Sequence, residues 1–153
     1  MFLRLRSRRT ALSSPKGPRG CRVYAIGDVH GRLDLLRNLL GRIEQDNADR
    51  PSARTLVVFL GDLVDRGPDS AGVLEFLRRY RPPTLEPVFL MGNHEEVMLR
   101  LLGGERGGLL DRWLNYGGVE TLASYGVHAS GLRQLTERQA LQDPDIDRVF
   151  IIA

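Results

Sequence analysis

Apolar positions between residues 22 and 103 alternate between two periods. Three short runs are apolar almost throughout: residues 23–26, 55–60 and 88–91. Continuous runs of this length predict strands covered on both faces rather than half-solvated ones. The stretches between them carry a helical spacing instead. Leu36, Leu39, Leu40 and Ile43 fall at i, i+3, i+4 and i+7, and so do Val73, Phe76, Leu77 and Tyr80. A third helix is predicted to start near His94, with Val97, Met98, Leu101 and Leu102 turned inward. Alternating strand and helix predicts an α/β fold with largely parallel strands. Gly103-Gly104 and Gly107-Gly108 mark a break, and residues 113–125 read as a short helical segment with turns. Beyond residue 130 the pattern fades, apart from a strand candidate at residues 149–152.

Each apolar run gives way at once to polar residues. The first is followed by Gly27-Asp28-Val29-His30-Gly31 and the second by Gly61-Asp62-Leu63-Val64-Asp65-Arg66-Gly67. The third is followed by Gly92-Asn93-His94-Glu95. Ligand sites of open α/β sheets lie outside the carboxyl ends of the strands, so the three clusters are expected to converge. Taken singly, a Gly-Asp pair after a strand is an ordinary turn or helix cap. Three such clusters at three strand ends argue for more. Asp28, His30, Asp62 and Asn93 offer carboxylate, imidazole and amide donors, a mixture suited to Mn, Fe or Zn. Asp28 and His30 stand two apart, which on an extended segment aims both to one side.

Charge narrows the classes. Of 22 basic residues, seven lie within residues 1–22, where there is no acid; the other 15 stand against 19 acids, a net of −4. The basic character therefore belongs to a leader, residues 1–21, whose serine, proline and glycine content predicts no fixed structure. Residues 22–153 form the folded part. The acidic balance there, with no aromatic stacking platform, argues against nucleic acid as a partner. No run is long and apolar enough for a membrane span or a secretory signal, and a cytoplasmic location is expected. The single cysteine, Cys21, allows no internal disulfide and reads as an inert thiol.

The blocks GDVHG, GDLVDRG and GNHE resemble the signature of the calcineurin-like metallophosphoesterases. The second block is the more specific and is similar to the phosphoprotein phosphatase branch, with its bacterial serine/threonine phosphatases and symmetrical diadenosine tetraphosphatases. Residues 113–118 (WLNYGG), with Thr121-Leu122 and Ser124-Tyr125-Gly126, are similar to a segment of that bacterial group. The resemblance covers about residues 22–127. It implies the first βαβαβ half of a four-layer α/β/β/α sandwich, holding two divalent cations, manganese first, iron or zinc next. Asp28 and His30 would hold one cation, Asn93 the other, and Asp62 would bridge both. His94 would be the general acid, oriented by Asp65, and Arg66 would grip the phosphate. The implied reaction is in-line attack of a metal-bound hydroxide on phosphorus. The implied substrate is a phosphorylated serine or threonine of a protein, or alternatively a dinucleoside polyphosphate or another small phosphoester.

Two departures stand out. Leu63 replaces a tyrosine common in the family. The family also completes its site with two further histidines and a second arginine, whereas this chain has only His30, His94 and His128, the last without the expected surroundings. A truncated or frame-shifted member, or a fragment, is therefore expected. The rival readings are an inactive metal-binding or scaffold domain and, through the leader, a nucleic-acid binder.

Overall fold

Residues 19–105 and 107–127 are described by a computed structural model. Strands β1 (Cys21–Ile26), β2 (Arg54–Phe59) and β3 (Glu86–Phe89) form one parallel sheet in the order β1-β2-β3. Helices α1 (Leu33–Ala48) and α2 (Ser70–Arg79) make the two crossovers, and α3 (Asn93–Leu102) leaves β3. The predicted βαβαβ order is therefore present.

Side-chain alternation decides what the sheet buries. Thr55, Val57 and Phe59 of β2 point to the helical face and are buried. Val57 and Phe59 pack with Ile26, with Leu36, Leu40 and Ile43 of α1, and with Val73 and Leu77 of α2. Leu39, expected inward, is 40% exposed, because it stands one position off the stripe formed by Leu36, Leu40 and Ile43.

The opposite face of the sheet is packed differently. Register places Val23 beside Leu56, Ala25 beside Val58, and Val58 beside Val88. Among the described residues no element covers this row: Val23 is 52% exposed, and Leu60 and Leu90 just past it are 50% and 49% exposed. The runs are continuously apolar, yet only one face is packed here.

A second core lies beyond the carboxyl ends of the strands. Helix α4 (Leu109–Trp113), a π-helical turn (Leu114–Gly118) and α5 (Val119–Ser124) fold back on α3. Leu109, Leu110, Trp113 and Leu122 pack on Met98, Leu101 and Val64. This clamps residues 113–124 over the loop after β2. The strand candidate at 149–152, the leader and His128 lie outside the described residues.

Candidate active site

The three motif loops are joined by their backbones. Val29 and His30 both donate their N–H to the Asp62 carbonyl, each at 2.9 Å, and Gly31 donates to the Leu63 carbonyl at 2.8 Å. The loop after β3 joins through Glu95. Its Oε2 accepts the N–H of Asp62 at 2.7 Å and of Gly92 at 2.9 Å. Its Oε1 accepts those of Leu63 at 2.7 Å and Val64 at 3.2 Å. One carboxylate thus takes four backbone donors from two loops, while the His94 N–H reaches Asp62 Oδ1 at 3.2 Å. Sequence reasoning gave Glu95 no role. The signal was available: a glutamate three residues after a helix-capping position is the spacing of a capping box, and Glu95 stands in the first turn of α3.

Such close joining demands unusual backbone. Gly61 has φ +106°, and an added Cβ there would collide with the Gly92 backbone. Four non-glycine residues also adopt left-handed backbone: His30 (φ 44°), Asp62 (52°), Asp65 (71°) and Arg66 (67°). Strain of this kind costs on the order of 1–3 kcal/mol per residue and persists only where the surroundings impose it. All four belong to the predicted site. The segment bearing Asp28 and His30 is therefore not extended. Loop crossing turns it at His30, yet His30 Nε2 still comes within 3.6 Å of Asp28 Oδ2.

Asp65 is fully buried and fully partnered. Its Oδ2 faces His94 Nδ1 at 2.7 Å and accepts the Trp113 indole N–H at 2.9 Å. Its Oδ1 accepts the Thr121 hydroxyl at 2.7 Å, and its own N–H donates to the hydroxyl oxygens of Ser70 and Thr121. Trp113 and Thr121 come from the segment folded back over the loop. Arg66 Nη1 and Nη2 of the guanidinium fork face His30 Nε2 at 2.8 Å and His94 Nε2 at 3.0 Å. A guanidinium only donates, so both Nε2 atoms accept. The protons then sit on Nδ1, donated to the Val64 carbonyl at 2.8 Å by His30 and to Asp65 by His94.

Among the predicted site residues, one donor atom each of two expected ligands, His30 and Asp62, and of the expected acid, His94, lie within 4.8 Å of one another. Asp28 stands outside that group, exposed and next to His30. Asn93 is the first residue of α3 and lines a cavity with Arg66 and His94. This donor set fits a divalent cation that takes nitrogen and oxygen, because both imidazoles present lone pairs beside a carboxylate. His94 differs from His30 in its support. Its Nδ1 rests on a buried carboxylate rather than a carbonyl, a support that suits a proton carrier and a metal ligand alike.

Comparison with known proteins finds relatives among bacterial tetraphosphatases and a protein phosphatase. The symmetrical bis(5'-nucleosyl)-tetraphosphatase of Legionella pneumophila is 43% identical over 81 residues, covering 53% of this chain and 26% of that protein. Its counterpart in Coxiella burnetii is 40% identical over 78 residues, covering 51% of this chain and 24% of that protein. Serine/threonine-protein phosphatase 1 of Salmonella typhimurium is 32% identical over 119 residues, covering 76% of this chain and 49% of that protein. The chain thus spans about a quarter to a half of the length of these relatives. The profile of the calcineurin-like phosphoesterases matches residues 21–150, and the chain belongs to that family.

Proposed function

We propose that the chain supplies the cation- and phosphate-binding half of a phosphoester hydrolase. The observation that carries this reading is the convergence of His30, Asp62 and the buried His94–Asp65 pair at the carboxyl end of one parallel sheet. Asp28 and His30 would hold one divalent cation, Asn93 the second, and Asp62 both; manganese is the first candidate, then iron or zinc. When bound, the cations would lower the pKa of attacking water and offset the charge that builds on phosphorus. Arg66 would turn its fork from the two imidazoles to two phosphate oxygens, a geometry guanidinium matches. His94, backed by the Asp65 carboxylate, would carry a proton on Nε2 to the leaving oxygen.

The finer reading is hydrolysis of phosphoserine or phosphothreonine in proteins, in the cytoplasm. It is supported by the match to the Salmonella phosphatase, which extends over 76% of this chain. The second reading, a dinucleoside polyphosphate, is favoured by the higher identity of the Legionella relative. Turnover of a phosphoserine peptide, diadenosine tetraphosphate and an aryl phosphate separates the two.

The test of the shared reading uses metal content after dialysis beside turnover with manganese. Asp62→Asn should lose bound manganese. His94→Asn should keep it and lose turnover by ~10²–10⁴-fold, less for the aryl phosphate, whose leaving group needs less protonation. Wild-type manganese content in Asp62→Asn would sink the assignment.

A further inference from the structure

We infer that a cavity beside His94 receives the leaving group, and that Arg112 selects leaving groups bearing a phosphoryl group of their own. The inference rests on the reading of His94 as the proton donor to the leaving oxygen, and of the two substrate readings it sides with the dinucleoside polyphosphate. The cavity measures about 480 Å³ and has Arg66 and His94 on its reacting side. Val97, Leu109 and Trp113 form an apolar floor. Arg100, Arg112 and Tyr116 complete the wall.

The two outer arginines are not equivalent. Arg100 is engaged by Glu105 and lies 3.7 Å from Glu96, so its charge is already matched. Its hydrogen bonds are the main cause that holds the Glu105 carboxyl below the usual range; Arg112 contributes to that only as a charge, and least. The exposed Arg112 side chain has no hydrogen-bond or ion-pair partner among the described residues. An uncommitted guanidinium in the wall of a cavity that also holds the phosphate-gripping arginine suits a second phosphoryl group.

Tyr116 adds a surface for whatever that phosphoryl group carries. It is 66% exposed, although it sits between Asn115 and Gly117 in a turn fixed on the site. The Gly117 carbonyl accepts the Arg66 N–H at 3.1 Å, so the turn that bears the ring is registered to the residue assigned to the scissile phosphate. An exposed aromatic face next to an anion site stacks flat groups.

Trp113 is the only tryptophan and lines the cavity, so its fluorescence reports binding without any need for turnover. The probes are inorganic phosphate, pyrophosphate and ADP, titrated into the metal-free chain at fixed ionic strength. Pyrophosphate should bind about tenfold more tightly than phosphate, the worth of one charge-assisted contact. Arg112→Gln should reduce that ratio to about twofold or less while leaving phosphate affinity unchanged. Tyr116→Ala should remove the further advantage of ADP over pyrophosphate and spare pyrophosphate itself. An unchanged ratio in Arg112→Gln, an equal loss for phosphate, or no saturable response to pyrophosphate would overturn the inference. If Asp62→Asn still strips manganese and His94→Asn still cuts turnover, only the pocket assignment falls. If those fail while the Arg112 dependence holds, the cavity stands as an anion site and the catalytic reading falls.

Discussion

The carboxyl end of the sheet and its uncovered face are built by the same three strands, yet they are finished to different degrees. At the carboxyl end the buried polar groups are all partnered. Glu95 collects four backbone donors, Asp65 receives an indole, a hydroxyl and an imidazole, and no buried side-chain nitrogen or oxygen among the described residues lacks a partner. On the uncovered face, Val23, Leu60 and Leu90 stand half in solvent. A buried charge tolerates no missing donor, because desolvation penalises it at once. An apolar face can wait for its cover, because exposure costs only in proportion to area. Among the described residues the polar network of the motif loops is therefore satisfied, while one face of the sheet has no cover.

The sharpest way to break this contrast is to remove one of the two organising carboxylates. Asp65→Ala leaves the Trp113 indole, the Thr121 hydroxyl and the His94 Nδ1 without their acceptor. We expect a loss of about 3–5 kcal/mol in urea unfolding. Glu95→Ala, half-buried, should cost less, about 2–3 kcal/mol. A loss below about 1 kcal/mol in Asp65→Ala would mean that the network is decorative.

The two sheet faces give the next comparison. Val57→Ala on the covered face should cost about 2 kcal/mol. Val23→Ser on the other should stay within about 0.5 kcal/mol and, with Leu60→Glu, should reduce self-association seen by light scattering. Equal losses on both faces would show that the second face is covered after all.

The smallest effect concerns the far edge of α1. The Asp46 carboxyl is lowered to about 2, first by its hydrogen bonds from Arg50 and then by the Tyr24 hydroxyl. Its folded value lies below its unfolded one, so its contribution is present above about pH 4 and fades as the pH falls toward 2. Arg50→Gln should flatten stability over that acid window, lowering stability at neutral pH and leaving it unchanged near pH 2. A change of the same size at pH 7 and at low pH would count against this account.

Much of the site was legible because its residues follow strands directly, and strand ends are where a parallel sheet places its ligands. Local spacing also gave α1, α2 and α3. It misplaced β3, read as residues 88–91 but paired over Glu86–Phe89. Glu86 and Pro87 look unlike strand residues, yet Glu86 pairs with Arg54 across the sheet and proline is tolerated on an edge strand. The partners of Asp65 were not legible. Trp113 and Thr121 lie 48 and 56 residues downstream, and no local pattern announces a bond over that distance. The left-handed turn at His30 was hidden for the same reason, since loops from elsewhere in the chain impose it.

That separation has a consequence in time. A ribosome adds about 5–20 residues per second. Asp65 therefore leaves synthesis roughly 3–11 s before Thr121, 56 residues later. Once Phe89 has been added, the sheet and α2 have all their own residues, but the Asp65 carboxylate still has neither the indole nor the hydroxyl that later hold it. The nascent chain carries its site as loose loops until residues 113–124 close over them. A pause in translation within that stretch would prolong the state most open to proteases and to wrong cations.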